Sequence, residues 1–303
     1  MKTIIKHISI TVLGLLVTLS CSEEFVETKP IALASEASFY SSMTAAEMTT
    51  TVCYSNFCHE KLWDLSIMMT LGSIASDEAE AGAGGKDDVK QYQHIDEFTH
   101  SPAEAEVFSW PYGYLYRTIN YCNVAMEKLP QITSEMDETF DANKINNYLG
   151  EARFLRAFHY FKLMEMFGGV PIVDHVLLPD EYQKPRNSIS EVLEFCKSDL
   201  KIAIELLPTK PEWGPNNVGR ASKGAAQALM AKVYLYESSY ANYYPGDERF
   251  TGCAQNWDSV LYWAEEVMKP ENGYKLVGID GERFLTWRDK VTSKPSTVML
   301  MCF

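Results

Sequence analysis

The fold is decided by residues 150–173, which read GEARFLRAFHYFKLMEMFGGVPIV. One apolar stripe recurs there at helical spacing and comprises Leu149, Ala152, Leu155, His159 and Leu163. A second stripe comprises Phe154, Phe158 and Phe161. A helix that is apolar on more than one side must be covered by neighbours on each of those sides. The segment Leu149 to Phe167 therefore predicts a central helix packed between other elements.

The same helix carries three charged residues, Glu151, Arg153 and Arg156. A buried charge is costly unless an opposite charge and hydrogen bonds compensate it. We therefore expect these side chains to pair with carboxylates or with carbonyl groups at helix ends. Gly168-Gly169 predicts the end of the helix, and the proline in residues 170–173 predicts an extended segment after it.

Further helix starts are indicated by capping signals on either side of this segment. Serine or threonine followed three residues later by glutamate is typical of a first helical turn. The predicted starts are Thr44 with Glu47, Ser101 to Glu104, Ser188 with Glu191, Ser222, and Asn256 as a further cap. After Ser101 an apolar stripe runs to a stop at Pro130 and comprises Phe108, Tyr112, Leu115, Ile119, Cys122, Met126 and Leu129. Cys122 is thus predicted to be a core residue.

The last three of these starts, at residues 188, 222 and 256, are spaced at the 34-residue period of tetratricopeptide repeats. Only one clear helix falls in each interval, so divergent helix pairs are expected rather than a regular array. Small residues make the helix after Ser222 thin, which allows close approach, while Leu229, Val233 and Leu235 are expected to fill gaps. No alternation of strands and helices is visible, and the predicted fold class is all-α.

Composition excludes one class of partner and leaves another open. The 303 residues carry a formal net charge of −14, so a phosphate backbone would be repelled and nucleic acid is not expected as a partner. Six tryptophans and seventeen tyrosines lie among polar residues. Flat rings with a polar edge suit stacking on sugars or gripping peptides, although most such rings are expected in the core.

The first 20 residues are predicted to be a lipoprotein signal peptide. Lys2 and Lys6 precede the apolar run Ile8 to Leu19, which is shorter than the about 20 residues that a membrane helix needs. The run ends at Leu19-Ser20-Cys21, which resembles a bacterial lipobox, so Cys21 is predicted to carry acyl chains. The polar residues 21–42 are expected to be a tether, with Ser22-Glu23-Glu24 resembling a tag for export to the cell surface.

Three segments of the chain resemble one known family. The strings Gly150 to Phe161 and Met166 to Pro171 are similar to the signature of the SusD/RagB family of nutrient-binding outer-membrane lipoproteins. Gly219 to Leu235 resembles its second hallmark, and Arg186 to Pro208 the helix between the two. The residues that carry the resemblance are Arg153, Arg156, Gly169, Pro171, Gly219 and Arg220.

The resemblance implies a mainly helical, SusD-like fold of irregular tetratricopeptide-like helix pairs with long loops. It implies capture of an oligosaccharide, or a peptide, and delivery to a SusC-type TonB-dependent transporter in the outer membrane. It implies no enzymatic activity and no cofactor. Family members normally continue further, so the helical domain at 43–303 is expected to be incomplete at its carboxy-terminal end.

The glycine-rich stretch at 76–88 predicts an exposed loop, which the resemblance places near the ligand face. Asp77, Lys86 and Tyr92 are the candidate ligand-binding residues there. Five acids in the loop lack the twelve-residue spacing of a calcium-binding EF-hand, so no metal site is predicted. Cys53, Cys58 and His59 do not fit a zinc pattern, and the six cysteines after Cys21 predict no disulfide framework.

Two other functions stay open on the sequence alone. The chain contains no Gly-x-Ser-x-Gly elbow and no His-Glu-x-x-His motif, but the paired carboxylates of a glycan-cleaving enzyme would leave no such signature among 41 acidic residues. The helical repeats also suit a scaffold lipoprotein that binds only a protein partner. Mass spectrometry of the products after incubation with glycans tests the enzyme, and binding measurements against glycans distinguish the scaffold from a nutrient receptor.

Overall fold

The computed structural model describes residues 39–55, 72–81, 85, 88, 90–102 and 106–274, without the side chains of residues 106 and 107. The regular secondary structure in these ranges is helical, and no strand occurs among them. The all-α prediction is therefore confirmed. Within the same ranges, none of the helices has the length and apolar character that crossing a membrane requires. Cys21 and Lys86 lie outside the described residues.

The α-helices follow one another along the chain with short 3-10 turns between several of them. Their bounds are α1 Met43–Val52, α2 Lys90–Asp96, α3 Glu106–Lys128, α4 Ala142–Phe167, α5 Ile189–Leu206, α6 Lys210–Trp213, α7 Lys223–Tyr243 and α8 Trp257–Met268. The 3-10 turns are Leu129–Gln131, Pro179–Glu181, Pro215–Asn217, Glu248–Phe250 and Pro270–Asn272.

Helix α4 is the centre of the packing, as its two apolar stripes predict. It lies between α3 and α5, while α7 packs on α5 and α8 packs on α7. The short α1 contacts both α3 and α4. Leu155, Phe161 and Leu163 of α4 are completely buried, so side chains from both stripes are in the core. The helix pairs are compatible with an irregular tetratricopeptide-like arrangement.

Local capping explains where the central helices begin and end. The Asp141 carboxylate accepts hydrogen bonds from the backbone N–H groups of residues 143 and 144, at 2.9 and 3.2 Å, which starts α4 at Ala142. The apolar stripe alone predicts a later start, near Leu149. At the other end, Gly168 has a φ of +71° and its N–H donates to the Met164 carbonyl group, so α4 ends where predicted.

The predicted capping box of α5 is confirmed. The Ser188 hydroxyl accepts from the Glu191 N–H at 3.2 Å, and the Glu191 carboxylate accepts from the Ser188 N–H at 2.7 Å. Ser222 likewise caps α7, with its hydroxyl accepting from the Ala225 N–H at 3.4 Å. The small residues of α7 allow a close contact with Tyr274, because a Cβ at Gly224 would lie 2.3 Å from the Tyr274 ring.

Three local predictions are wrong. Helix α1 is capped by Ser42, and Glu47 forms an ion pair with Arg220 instead of a capping box with Thr44. Asn256 occupies the N-cap position of α8, but its side chain makes no capping hydrogen bond. Leu235 is exposed on α7, whereas Leu229 and Val233 are buried as expected. For Leu235, the apolar spacing alone does not show which side of the helix its neighbours leave uncovered.

The long stripe on α3 is confirmed at its centre. Leu115, Ile119, Cys122 and Leu129 are buried, and the α-helix ends at Lys128, directly before the turn that contains Pro130. Burial raises the pKa of the Cys122 thiol well above its ordinary value, so the thiol stays protonated and serves as a core side chain. Among the described cysteines, Cys53, Cys122, Cys196 and Cys253 carry free thiols.

Candidate ligand-binding surface

A buried charge cluster fixes the helices on which the candidate surface is built. The Asp199 carboxylate of α5 accepts hydrogen bonds from Arg156 Nε and Nη2 at 2.7 and 2.8 Å. It also accepts from Arg153 Nη1 at 2.7 Å. The predicted pairing of both arginines is thus confirmed, with a partner on the neighbouring helix. Two cations around one buried carboxylate clamp α4 to α5.

Arg156 also holds the extended segment that follows α4. Its Nη1 donates to the Asp174 carbonyl oxygen at 2.8 Å and to Asn123 Oδ1 at 2.7 Å. The Asn123 amide donates in turn to the carbonyl oxygens of Val173 and His175, at 3.0 and 2.9 Å. These bonds satisfy the backbone of a segment that has no sheet or helix partner. The course of the loop after α4 is therefore set from inside the core.

Two residues of the family signature, Gly169 and Pro171, lie in this segment after α4 and contact its neighbours. A Cβ at Gly169 would lie 2.1 Å from the Asn187 carbonyl oxygen, so no side chain fits there. The Pro171 carbonyl oxygen accepts a hydrogen bond from the Tyr116 hydroxyl at 2.6 Å. Both residues bring the chain close to its neighbours, which gives them a positioning role rather than contact with a ligand.

Arg220 joins a second buried cluster, at the amino-terminal end of α7. Its guanidinium donates to Glu151 Oε1 at 2.8 Å and to Glu47 Oε1 at 2.9 Å, and it lies over the rings of Tyr148 and Trp213. The predicted compensation of Glu151 is therefore confirmed. The φ of +97° at Gly219 provides the turn that leads into Arg220.

Glu151 is completely buried within this cluster. Burial raises its pKa from 4.5 to about 7, although Arg220 and a hydrogen bond from the Tyr54 hydroxyl act in the opposite direction. The Tyr54 hydroxyl oxygen also accepts from the Ala221 N–H at 2.9 Å. This tyrosine thereby connects the end of α1 to α4 and to the start of α7.

The predicted ligand loop is only partly described. Asp77 is exposed, and Tyr92 lies half-buried on α2. The Ala81 N–H donates to Asp96 Oδ2 at 2.9 Å, which ties the loop to the end of α2. The role of Asp77 and Tyr92 in ligand binding stays a prediction. In the part of the chain that is described, no cluster of histidine, cysteine and acidic side chains could hold a metal ion.

An aromatic surface that is not among the predicted site residues lies on α3, close to this loop in the chain. Trp110 is 43% exposed and stacks on Tyr114, with ring centroids 5.7 Å apart and planes at 26°. The Arg117 guanidinium lies 4.9 Å from the centroid of the Tyr114 ring. His100, at the end of the loop region, is 5.6 Å from the ring of Phe108 on the same helix. The α3 surface comprises Trp110, Tyr114 and Arg117.

A signal for this surface is present in the sequence. Trp110, Tyr114 and Arg117 are spaced by four and three residues, so they share one face of a helix. The predicted apolar stripe on α3 lies on the opposite, buried face of the helix. An exposed tryptophan stacked on a tyrosine presents a flat apolar face beside polar groups, which suits a sugar ring.

Comparisons with known proteins agree with this architecture. Residues 37–235 match the model of a SusD-like family described as "Starch-binding associating with outer membrane". The chain is 29% identical over 247 residues to SusD-like protein P2 of Formosa agariphila, an alignment that covers 78% of this chain and 44% of that protein. The chain thus spans less than half the length of this relative.

Solved structures give the same result. A structure described as "Laminarin binding SusD-like protein" is similar with a TM-score of 0.62 and 26% identity, covering 78% of this chain and 47% of that chain. A SusD-like protein from Bacteroides fragilis is similar with a TM-score of 0.59 and 26% identity, covering 80% of this chain and 41% of that chain. The helical arrangement of the described residues therefore occurs in solved relatives.

Proposed function

Because the chain belongs to the SusD-like family, we propose that it is a lipid-anchored protein of the outer cell surface that captures an oligosaccharide and delivers it to a SusC-type TonB-dependent transporter. The observation that carries the proposal is the match of residues 37–235 to the starch-binding, outer-membrane-associated family. The similarity to a laminarin-binding relative supports a glycan as the ligand. Peptide is the alternative ligand.

We propose binding without a chemical step. The carboxylates with the strongest structural constraints, Asp199 and Glu151, are completely or almost completely buried and bonded to arginines. They cannot reach a glycosidic bond, and their pairing explains their presence. Glycan cleavage by other carboxylates is the rival activity, and it predicts shortened sugars after incubation.

The binding surface that we propose combines the α3 surface with the loop region that contains Asp77, Lys86 and Tyr92. A sugar ring has an apolar face of C–H groups and a rim of hydroxyl groups. Trp110 offers a flat ring for the apolar face, and the neighbouring Arg117 offers N–H donors for the hydroxyl groups. The exposed Asp77 carboxylate adds an acceptor.

Binding calorimetry of the 303-residue chain against α-linked and β-linked glucan oligosaccharides tests this proposal. Trp110→Ala is expected to weaken binding about tenfold, which corresponds to about 1.4 kcal/mol. Tyr182→Ala is the matched control, because Tyr182 is also an exposed aromatic residue but belongs to the loop before α5. Heat with peptides and none with any glycan would show that the proposed ligand class is wrong.

We further propose that Cys21 carries the lipid anchor and that residues 1–20 are removed as a signal peptide. Metabolic labelling with a palmitate analogue is expected to mark the wild-type chain but not a Cys21→Ser variant. Label in both proteins, or in neither, would count against an anchor at this residue. Copurification with a SusC-type transporter from the outer membrane tests the delivery partner.

A further inference from the structure

A second exposed aromatic surface lies where α7 connects to α8. Phe250 of the 3-10 turn stacks on Tyr240 with ring centroids 4.5 Å apart and planes at 20°. Phe250 also stacks on Tyr244, at 5.2 Å and 26°. Tyr244 is 50% exposed, whereas Phe250 is half-buried. The stack therefore presents an aromatic ring to solvent on a support of two further rings.

The connection that carries the stack is fixed to the helices on both sides. The Ser190 hydroxyl of α5 donates to the Thr251 carbonyl oxygen at 3.0 Å. Gly252 has a φ of +90°, and a Cβ there would lie 2.6 Å from Ser190 Oγ, so the backbone approaches α5 as closely as only glycine allows. The Asn256 N–H donates to the Ser238 hydroxyl of α7 at 2.9 Å. The ring positions are thus set before any ligand binds, which lowers the entropic cost of binding.

A charged pair adjoins the stack. Arg249 donates from Nε to Asp247 Oδ1 at 3.0 Å and from Nη2 to Asp247 Oδ2 at 2.6 Å. The Arg249 guanidinium lies 5.4 Å from the ring centroid of Phe250. The hydrogen bonds from Arg249 lower the pKa of Asp247 to about 2, so both groups are charged at neutral pH. The bonds to Asp247 use Nε and Nη2, and the Nη1 amine of Arg249 does not take part in them.

From this juxtaposition we infer that the α7–α8 surface, which comprises Tyr244, Phe250, Asp247 and Arg249, is a second sugar-binding surface, specific for neutral pyranose rings. The apolar face of the sugar stacks on Tyr244, and two of its hydroxyl groups bond to Arg249 Nη1 and to the Asp247 carboxylate. The inference rests on the proposed function, because it assumes that the chain binds glycans.

The charge of the surface selects the sugar class. The Asp247–Arg249 pair is neutral in sum, and the whole chain carries a formal net charge of −14. An anionic sugar would meet the Asp247 carboxylate at close range, and the field of the chain would repel it. Neutral hydroxyl groups instead use both members of the pair, one as donor and one as acceptor.

The two surfaces are carried by different helices, the first by α3 and the second by the α7–α8 connection. A glycan that contacts both surfaces makes its second contact as an intramolecular step, which raises the overall affinity. A neutral glycan long enough to reach both surfaces is therefore expected to bind more tightly than a short one, and loss of the α7–α8 surface removes this gain.

Binding of neutral gluco-oligosaccharides of increasing length to the 303-residue chain tests the inference. Tyr244→Ala and Arg249→Gln are each expected to weaken binding of the longest glycan about tenfold, or about 1.4 kcal/mol. Tyr244→Phe keeps the ring and is expected to bind like the wild type. Tyr243→Ala is the matched control, because Tyr243 is 72% exposed and adjacent but takes no part in the stack with Phe250.

The outcomes separate the two proposals. Wild-type affinity in both Tyr244→Ala and Arg249→Gln, with affinity lost in Trp110→Ala, overturns the second surface and leaves the proposed function intact. Equal losses in Tyr244→Ala and Tyr243→Ala also overturn it, because the stack would then have no special role. No binding of any glycan by the wild-type chain overturns the proposed function itself. Arg249 is exposed, so Arg249→Gln reports on the surface even where a tyrosine variant folds poorly.

Discussion

Replacing Asp199 by asparagine tests the charge cluster that holds the central helices together. The Asp199 side chain is 1% exposed and accepts three hydrogen bonds from Arg156 and Arg153. Asparagine has nearly the same shape but no charge. In the variant, Arg156 stays buried with neutral acceptors only, namely the remaining amide oxygen of residue 199, Asn123 Oδ1 and the Asp174 carbonyl oxygen.

The size of the effect follows from which arginine is able to reach water. Removing one partner of a buried ion pair costs about 3–5 kcal/mol, because the remaining charge is desolvated without compensation. Arg156 is almost completely buried and experiences this full cost, whereas Arg153 is partly exposed and is able to turn toward solvent. We therefore expect Asp199→Asn to lower the free energy of unfolding by about 3–5 kcal/mol.

Denaturant unfolding followed by circular dichroism measures this loss. Glu205→Gln is the control, because Glu205 is an exposed acid on the same helix and its neutralisation is expected to change stability by less than about 0.5 kcal/mol. Combining Arg156→Met with Asp199→Leu removes the buried charges together and is expected to be less destabilising than Asp199→Asn alone. A loss below about 1 kcal/mol in Asp199→Asn would show that Arg156 does not depend on this carboxylate for its burial, since that is the range of an exposed ion pair.

Three further predictions concern single sites. Burial raises the pKa of Glu151 from 4.5 to about 7, so the stability that its neutral form contributes is present below pH 4.5 and is lost as the pH rises through 7. The Glu151→Gln side chain cannot ionise, so between pH 4.5 and 7 this variant should lose less unfolding free energy than the wild type, by up to about 3 kcal/mol. Parallel plots of unfolding free energy against pH for the two proteins would contradict this. Gly169→Ala places a Cβ 2.1 Å from a carbonyl oxygen and should lower the free energy of unfolding by about 1–3 kcal/mol. In the control Gly113→Ala on α3, the added Cβ meets no atom within 4 Å and should stabilise the protein by about 0.5–1 kcal/mol. Equal melting temperatures for the two variants would argue against the close packing at Gly169. A hydrogen bond between His175 and Asp174, at 2.7 Å, raises the pKa of His175 above 6.5. An NMR titration should therefore show a lower pKa for His175 in Asp174→Asn than in the wild type. The same pKa in both proteins would count against this pairing.

Local signals in the sequence were sufficient for several helix boundaries. The capping box at Ser188 and Glu191 and the cap at Ser222 depend only on residues within one turn, so they are visible in the chain itself. The start of α4 was predicted too late, because Asp141 precedes a polar first turn that carries no apolar stripe. Thr44 and Glu47 have the same capping-box spacing as Ser188 and Glu191, but Glu47 instead pairs with Arg220, which is far away in the sequence.

The sequence also predicted that the charges on α4 must be compensated, but not by which residues. Asp199 and Arg220 lie 43 and 69 residues from their partners on α4, and only the packing of the helices brings them together. The two aromatic surfaces differ in this respect. Trp110 and Tyr114 share a helix face that the spacing alone reveals, whereas Phe250 reaches Tyr244 only because the chain turns back after α7.

Native mass spectrometry of the 303-residue chain with a panel of neutral glycans shows whether the chain holds a glycan without altering it. If the chain binds the glycan and performs no chemistry on it, the bound ligand has the full mass of the added glycan, even after prolonged incubation. Complexes that contain only shortened sugars, or the absence of any complex across the panel, would contradict it.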